Sequence, residues 1–346
     1  MQLPYIPDFD VQNAGLAQQR QNTLTKPAGS LGRLEALSVQ LAGITGSSRP
    51  SFPHKSVIVM AGDHGVTAEG VSAYPAEVTK QMVLNFLRGG AAINVLARQA
   101  GARVIVVDIG VAADFGEVTN LVQRKVARGT QNMRRGPAMT RGQAEESIQV
   151  GMDAANAEIA KGMDLLAVGE MGIGNTSPSS AITSLYTGLP VSLVTGRGTG
   201  LDETGFLHKV EIIEQAIALN KPDSGDPIDV LSKVGGFEIG GLAGAILSAA
   251  AHRLPVVLDG FISGAAALIA VGLEPRVKPF LIASHRSVEA GHRAILEQLG
   301  LRPLLDLDLR LGEGTGAALA FHLIDAAVNT LNDMATFSEA GVSSKE

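Results

Sequence analysis

Short apolar, β-branched runs recur along the chain, and each closes on glycine or a polar residue. They are SVIVMAGDHG (56–65), ARVIVVDIG (102–110), DLLAVGEMGIG (164–174), PVSLVTGRGTG (190–200), PVVLDGF (255–261), KPFLIASH (278–285) and PLLDLDLRLGEG (303–314). Runs that are apolar on both faces suit a parallel sheet covered by helices on each side. Between them lie stretches with helical spacing of apolar residues: 140–162, 204–220 and 287–300. The first opens with Thr140 and Gln143 in capping-box spacing. Strands alternating with helices predict an α/β fold, a doubly wound and mainly parallel sheet.

The two ends read differently. Residues 1–46 hold no convincing strand, and GSLGRLEALSVQLAGITG (29–46) predicts a helix capped by Ser30, with Leu31, Leu34, Leu37 and Leu41 as its apolar stripe. Residues 315–335 also read as helix. The expected organisation is a small helical subdomain from both termini (1–46 and 315–346) beside a large α/β domain (47–314) that carries the site. The last nine residues, SEAGVSSKE, are expected to fray.

Composition narrows the function. Glycine, 41 of 346 residues, lies well above the usual ~7%, and with no repeat to absorb it the excess belongs in turns and close crossings. Zero cysteine excludes disulfides, thiolate catalysis and cysteine-ligated metal. A net charge of −6 without a basic stripe argues against a nucleic-acid partner. The densest positive stretch, Arg124, Lys125, Arg128, Arg134 and Arg135, reads as a solvated loop. The longest apolar stretches, 240–251 and 264–273, fall short of the ~20 residues that cross a bilayer and read as buried helices, so no membrane partner is expected. MQLPYIPDFD lacks a basic region followed by an apolar core, so no secretory signal is expected; the expected location is cytoplasmic.

Ligands of open parallel sheets bind beyond the carboxyl ends of the strands. The residues that follow the strand-like runs are Asp63 and His64, Glu170, the TGRGTG loop (195–200), Asp259, Ser284 and His285, and Glu313. Single polar residues at strand ends often just cap the next helix, and that is the simpler reading for about half of these. GEMGIGNTSPSS (169–180) sets three glycines before Asn, Thr and Ser at a helix start, and TGRGTG adds a second bare loop with Lys209 downstream. Each alone can be an ordinary tight turn; together at successive strand ends they favour a phosphorylated ligand. In LRLGEGTGAALA (309–320), Glu313 stands between Gly312 and Gly314, a carboxylate on bare backbone that can handle a proton.

Familiar signatures are missing. GRGTG and GEGTG have one residue, not two, before the last glycine of a dinucleotide fingerprint, and no Walker sequence occurs. His285, Glu289 and His292 do not have zincin spacing, and a capped helix with a surface Glu is the simpler reading. No paired carboxylates suited to Mg²⁺ and a diphosphate appear; Asp306 and Asp308 read as strand-edge residues.

KPAGSLGRLE (26–35), AGDHGV (61–66), GEMGIGNT (169–176), GGFEI (235–239), DGFI (259–262), SHRSVEAGH (284–292) and LRLGEGTGAALA (309–320) together resemble the nicotinate-nucleotide:dimethylbenzimidazole phosphoribosyltransferase family. The resemblance implies a Rossmann-like sheet domain with a small helical domain, and a homodimer. It also implies transfer of ribose 5-phosphate from nicotinate mononucleotide to 5,6-dimethylbenzimidazole. The product, α-ribazole phosphate, serves the lower nucleotide loop of cobalamin. Neither cofactor nor metal is implied, because the donor's pyridinium leaves as a neutral molecule. By the same resemblance Glu313 is the general base. Glu170 and Gly172 meet ribose and phosphate; Gly198, Lys209 and Ser287 are further phosphate contacts, with Ser284 a neighbouring candidate. Tyr74 and Met82 fall at the positions that line the benzimidazole pocket, where purines and phenols are alternative acceptors. A nicotinamide-dependent oxidoreductase and a non-catalytic nucleotide carrier on the same fold are the competing readings.

Overall fold

A computed structural model describes residues 1–198 and 200–343. Thr199 of the TGRGTG loop and the last three residues of the SEAGVSSKE segment lie outside the described residues.

Six strands form one parallel sheet: β1 (Lys55–Gly62), β2 (Arg103–Gly110), β3 (Leu121–Gln123), β4 (Leu165–Met171), β5 (Val256–Leu258) and β6 (Leu281–Ala283). Their order is β3-β2-β1-β4-β5-β6, that of a doubly wound sheet, and the winding reverses between β1 and β4, where a crevice opens. Side chains alternate between two cores as the pleat requires. Ile58, Met60, Leu166, Val168, Val256 and Leu258 face one core, and Val57, Val59, Leu165, Ala167 and Val257 face the other.

The first half of the chain supplies helices α1 (Val11–Thr23), α2 (Arg33–Thr45), α3 (Glu77–Arg88), α4 (Ala92–Gln99) and α5 (Arg141–Ile159). After β4 come α6 (Thr176–Thr187), α7 (Val191–Val194), α8 (Glu203–Asn220), α9 (Pro227–Val234) and α10 (Phe237–Ala251). The last four are α11 (Phe261–Leu273), α12 (Ala290–Leu299), α13 (Thr315–Asp333) and α14 (Phe337–Ala340). The Thr140–Gln143 capping box opens α5 as its spacing predicts. Helices α10 and α11 are the two apolar stretches, buried on nearly every side. Among the described residues no helix is long and apolar enough to cross a membrane.

Glycine sets the closest crossing. A Cβ on Gly151 of α5 would meet the Gly241 carbonyl oxygen at 1.8 Å, and one on Gly244 of α10 would meet the Ile148 carbonyl oxygen at 1.9 Å. The two helices touch backbone to backbone and hold the face of the sheet beneath the crevice.

At the termini, Ala17 of α1, Ala42 of α2 and Leu331 of α13 share a small apolar cluster. The Arg20 guanidinium donates to the carbonyls of Leu331, Asn332 and Met334. The other end of α13 lies on the sheet, with Ala317, Ala318 and Phe321 in the core beside Val57 and Val59.

Several local expectations are corrected. Among the described residues of the run 190–200 there is no strand: Pro190 starts the single turn α7 instead. The run 303–314 makes only an isolated bridge, His285 to Leu305. Its alternating Leu307 and Leu311 are exposed, and Asp308 turns the backbone with φ 55°. Strand β3 was hidden in a polar stretch because it is a three-residue edge strand. Helix α2 starts at Arg33 rather than on a Ser30 cap, because Gly32, at φ 52°, breaks the chain direction. There the Glu35 carboxylate reaches back to the amides of Gly29 and Leu31 and pairs with Lys26 at 2.8 Å. The basic stretch is a solvated loop, as expected, with four of its five side chains exposed; its charges pair Arg124 with Asp153, Arg128 with Asp114, Arg134 and Arg135 with Glu69, and Lys125 with the buried Asp108.

Candidate active site

The carboxyl ends of β4, β5 and β6, residues of the segment 71–82 and the turn before α13 surround a cavity of about 540 Å³. Glu313 enters it from an unusual backbone. Gly312, Glu313 and Gly314 all have positive φ, at 87°, 64° and 94°, and for a glutamate this left-handed conformation is strained. The flanking glycines answer to the protein itself. A Cβ on Gly312 would meet Glu170 Oε1 at 2.3 Å, and one on Gly314 would meet Val57 Cγ1 at 2.7 Å. From the other side, a Cβ on Gly169 of β4 would meet the Glu313 carbonyl oxygen at 2.3 Å. The turn is pressed onto the strand. The Glu313 carboxylate accepts the Ile93 amide at 3.3 Å, in the first turn of α4, and no ion pair to it is formed among the described residues. Burial pushes its pKa above the ordinary carboxyl range, with the Ile93 N–H pulling back.

Three more carboxylates lie behind it. Glu170 accepts from the Asn175 side-chain amide. Its pKa is pushed up to about 8 by burial and then by the charges of Glu238 and Asp259, so at neutral pH it is largely protonated. Asp259 accepts three backbone amides, Gly314 at 3.1 Å, Gly316 at 2.8 Å and Ala317 at 3.2 Å. Burial nevertheless raises its pKa to about 7, against those three donors. Glu238, at the start of α10, pairs with His64 Nε2 at 2.8 Å. Burial opposes charge on that ring, but the Glu238 carboxylate, helped by Asp63, outweighs it and raises the His64 pKa. His285 and His292 are held neutral, at about 4 and about 3, chiefly by burial.

The part of the cavity wall around Thr176 and Gly198 is suited to an anion. Lys209 is fully buried, and its ammonium donates to Thr176 Oγ1 at 2.7 Å at the start of α6. A Cβ on Gly198 would sit 3.2 Å from that ammonium. Burial lowers the Lys209 pKa to about 8, opposed by the Glu289 charge. Glu289 itself is raised by burial, with Lys209 and Arg310 pulling it down. Amides at a helix start, a threonine hydroxyl and a buried ammonium are donors of the kind that can hold a phosphate.

Of the residues marked from the sequence, Tyr74, Met82, Glu170, Gly172, Gly198, Ser287 and Glu313 line this one cavity. Tyr74 is exposed at its mouth and Met82 half-buried on α3. Gly172 also serves packing, since a Cβ there would meet the Gly62 carbonyl oxygen at 2.4 Å. Lys209 stands behind Gly198 and Thr176, outside the lining. Ser284 is outside it too: its hydroxyl donates to the Asp259 carbonyl at 3.0 Å and also bonds His285 Nδ1 at 2.9 Å. Glu289 is a correction, for it lines the cavity instead of facing solvent. Asn175 and Thr176 belong to the polar helix start that the sequence marks as an anion site, whereas no local signal marked Glu238, which opens an apolar helix. Among the described residues no group of three or more His, Cys, Asp or Glu is arranged to hold a metal ion.

Comparison with known proteins gives a consistent picture. The family described as phosphoribosyltransferase matches residues 6–342. A nicotinate-nucleotide--dimethylbenzimidazole phosphoribosyltransferase of Chloroflexus aggregans (strain MD-66 / DSM 9485) is 60% identical over 342 residues, covering 99% of this chain and 97% of its own. The protein of the same name from Roseiflexus sp. (strain RS-1) is 61% identical over 340 residues, covering 98% and 96%. The crystal structure of CobT from Thermus thermophilus superposes with a TM-score of 0.93 at 49% identity, covering 96% of this chain and 100% of that one.

Proposed function

The chain belongs to the nicotinate-nucleotide:dimethylbenzimidazole phosphoribosyltransferase family, and from that premise we propose that it moves ribose 5-phosphate from nicotinate mononucleotide to 5,6-dimethylbenzimidazole with Glu313 as the general base. The product is then α-ribazole 5′-phosphate, the lower nucleotide of cobalamin, and nicotinate departs.

One observation carries the reading: a single cavity is lined both by Thr176 and Gly198, which stand beside the buried Lys209 ammonium, and by the Glu313 carboxylate, which forms no ion pair among the described residues. The cradle of Thr176, Gly198, Ser287 and Lys209 takes the 5′-phosphate. The acceptor lies between Tyr74, Met82 and Glu313. As one ring nitrogen attacks the anomeric carbon, the other loses its proton to Glu313, so the new nucleoside base does not remain cationic. Such a proton transfer typically accelerates a reaction ~10²–10⁴-fold. The leaving pyridinium takes the electrons of the broken glycosidic bond and departs neutral. Attack from the opposite face inverts β to α. Glu170, protonated at neutral pH, stands ready to donate a hydrogen bond to a ribose oxygen.

The reading includes a homodimer, supported by the exposed apolar Val288, Leu307 and Leu311 near the cavity mouth and tested by sedimentation. For the reaction, the test is product analysis of protein with nicotinate mononucleotide and dimethylbenzimidazole in chelator-treated buffer. Release of nicotinate with equimolar α-ribazole phosphate is expected; a β product, or none, would refute it.

A further inference from the structure

The geometry points to Asp259 as the positioning residue that holds the Glu313 turn in its working conformation, by taking three amides of residues 314–317 onto one buried carboxylate. The inference rests on the reading of Glu313 as the base and adds to it the reason that base keeps its place.

A glutamate at φ 64° between two glycines at φ 87° and 94° does not stay there by its own preference, since each of these residues has other conformations open to it. Strained backbone of this kind persists only where the surroundings over-determine it. Asp259 supplies that constraint from the end of β5, more than fifty positions away in sequence. Its Oδ2 takes the Gly314 amide at 3.1 Å, and its Oδ1 takes Gly316 at 2.8 Å and Ala317 at 3.2 Å. The first amide belongs to the residue after Glu313, so the bond acts directly on the turn. The other two belong to the first turn of α13, whose amides have no partner within the helix. Gly314 at the helix start makes no side-chain cap of its own. Asp259 therefore caps α13 from a distant strand and ties the turn to the sheet in the same contact.

The anchor is itself fixed. Asp259 is 2% exposed, and its own carbonyl receives the Ser284 hydroxyl at 3.0 Å. Below the turn, the Glu313 carbonyl rests against Gly169 of β4. With both of its oxygens bonded to backbone amides, Asp259 is poorly placed to be the base. Glu313, with a single long hydrogen bond from Ile93, keeps lone pairs free toward the cavity.

The test is a double-mutant cycle on the full-length enzyme. The variants are Asp259→Asn, Glu313→Gln and the pair together, each with kcat, both KM values and a melting temperature. Asp259→Asn is expected to lower kcat about 10²-fold, the scale of a displacement near 1 Å in a reacting group. Both KM values should stay within about threefold, and the substitution should cost nothing further in the Glu313→Gln background. A merely structural role would raise the KM values and add its loss to the double variant, and that result overturns the inference while leaving the base assignment standing. Glu313→Gln at wild-type kcat overturns the base assignment and the inference with it. Asp259→Ala assayed with added formate guards against a poorly folding Asn variant. Formate fits the vacated carboxylate space, and a dose-dependent recovery of kcat is expected. No recovery in a folded Ala variant counts against Asp259.

Discussion

Two glycine-rich contacts, the α5–α10 crossing and the turn at 312–316, use the same residue for the same geometric reason and to different ends. At the crossing, Gly151 and Gly244 let two helices touch through their backbones, and the result is a closely packed apolar core. In the turn, Gly312 and Gly314 let the chain press onto β4 and Glu170, and the residue between them is a strained carboxylate facing the cavity. The first contact is complete when it is packed. The second leaves a group whose conformation costs energy, and such costs gather at functional sites. Glycine alone therefore does not mark a site; glycine around an ionisable residue at positive φ does.

The largest expected effect separates the two contacts by function. Glu313→Gln should lower kcat about 10²–10⁴-fold, roughly 3 to 5 kcal/mol of transition-state stabilisation, with little change in the urea midpoint. Gly244→Ala should do the reverse. Its Cβ would lie 1.9 Å from the Ile148 carbonyl oxygen, so the helices must move apart at a cost of about 3 kcal/mol, read as a lower urea midpoint.

Smaller effects sharpen the picture within the cavity. Lys209→Met should raise KM for the phosphorylated donor about 10- to 100-fold, the worth of a hydrogen bond to a charged group, with KM for the acceptor unchanged. In the wild type, donor binding should weaken as pH rises through the Lys209 pKa of about 8. A last effect is on stability against pH. Glu170 holds its proton up to about 8 when folded but only to about 4.3 when unfolded. Its contribution is fully present below the unfolded value and is lost as pH rises through about 8. The wild-type melting temperature should therefore fall between pH 5 and pH 8, and Glu170→Gln should flatten that fall; an unchanged slope would assign the effect elsewhere, Asp259 first.

Much of this was legible in the chain and some was not, for physical reasons. The β-branched runs apolar on both faces gave away β1, β2 and β4, and the capping box gave away α5, because these signals are local. The run 303–314 misled because alternation reports only which residues could share a face. Leu307 and Leu311 share one, yet it is exposed, and Asp308 ends the extended backbone. Glu313 and Glu170 stood out as polar residues at the ends of apolar runs. Glu238 did not, because it begins an apolar helix, and its bond to His64 joins residues 174 positions apart. Glu289 sits in a polar run that reads as surface, and only the tertiary fold turns it toward Lys209. The Asp259 bonds to the 314–317 amides were equally hidden, since no spacing in a sequence announces a contact between one strand end and a distant turn.

The most direct test is a crystal structure of the wild-type enzyme with dimethylbenzimidazole bound. A Glu313 carboxylate oxygen should lie about 2.6–3.2 Å from one ring nitrogen, within reach for proton transfer, with the other nitrogen facing the ribose end of the cavity. A Glu313 side chain directed away from both ring nitrogens, with Glu170 or solvent in its place, would contradict its role as the base.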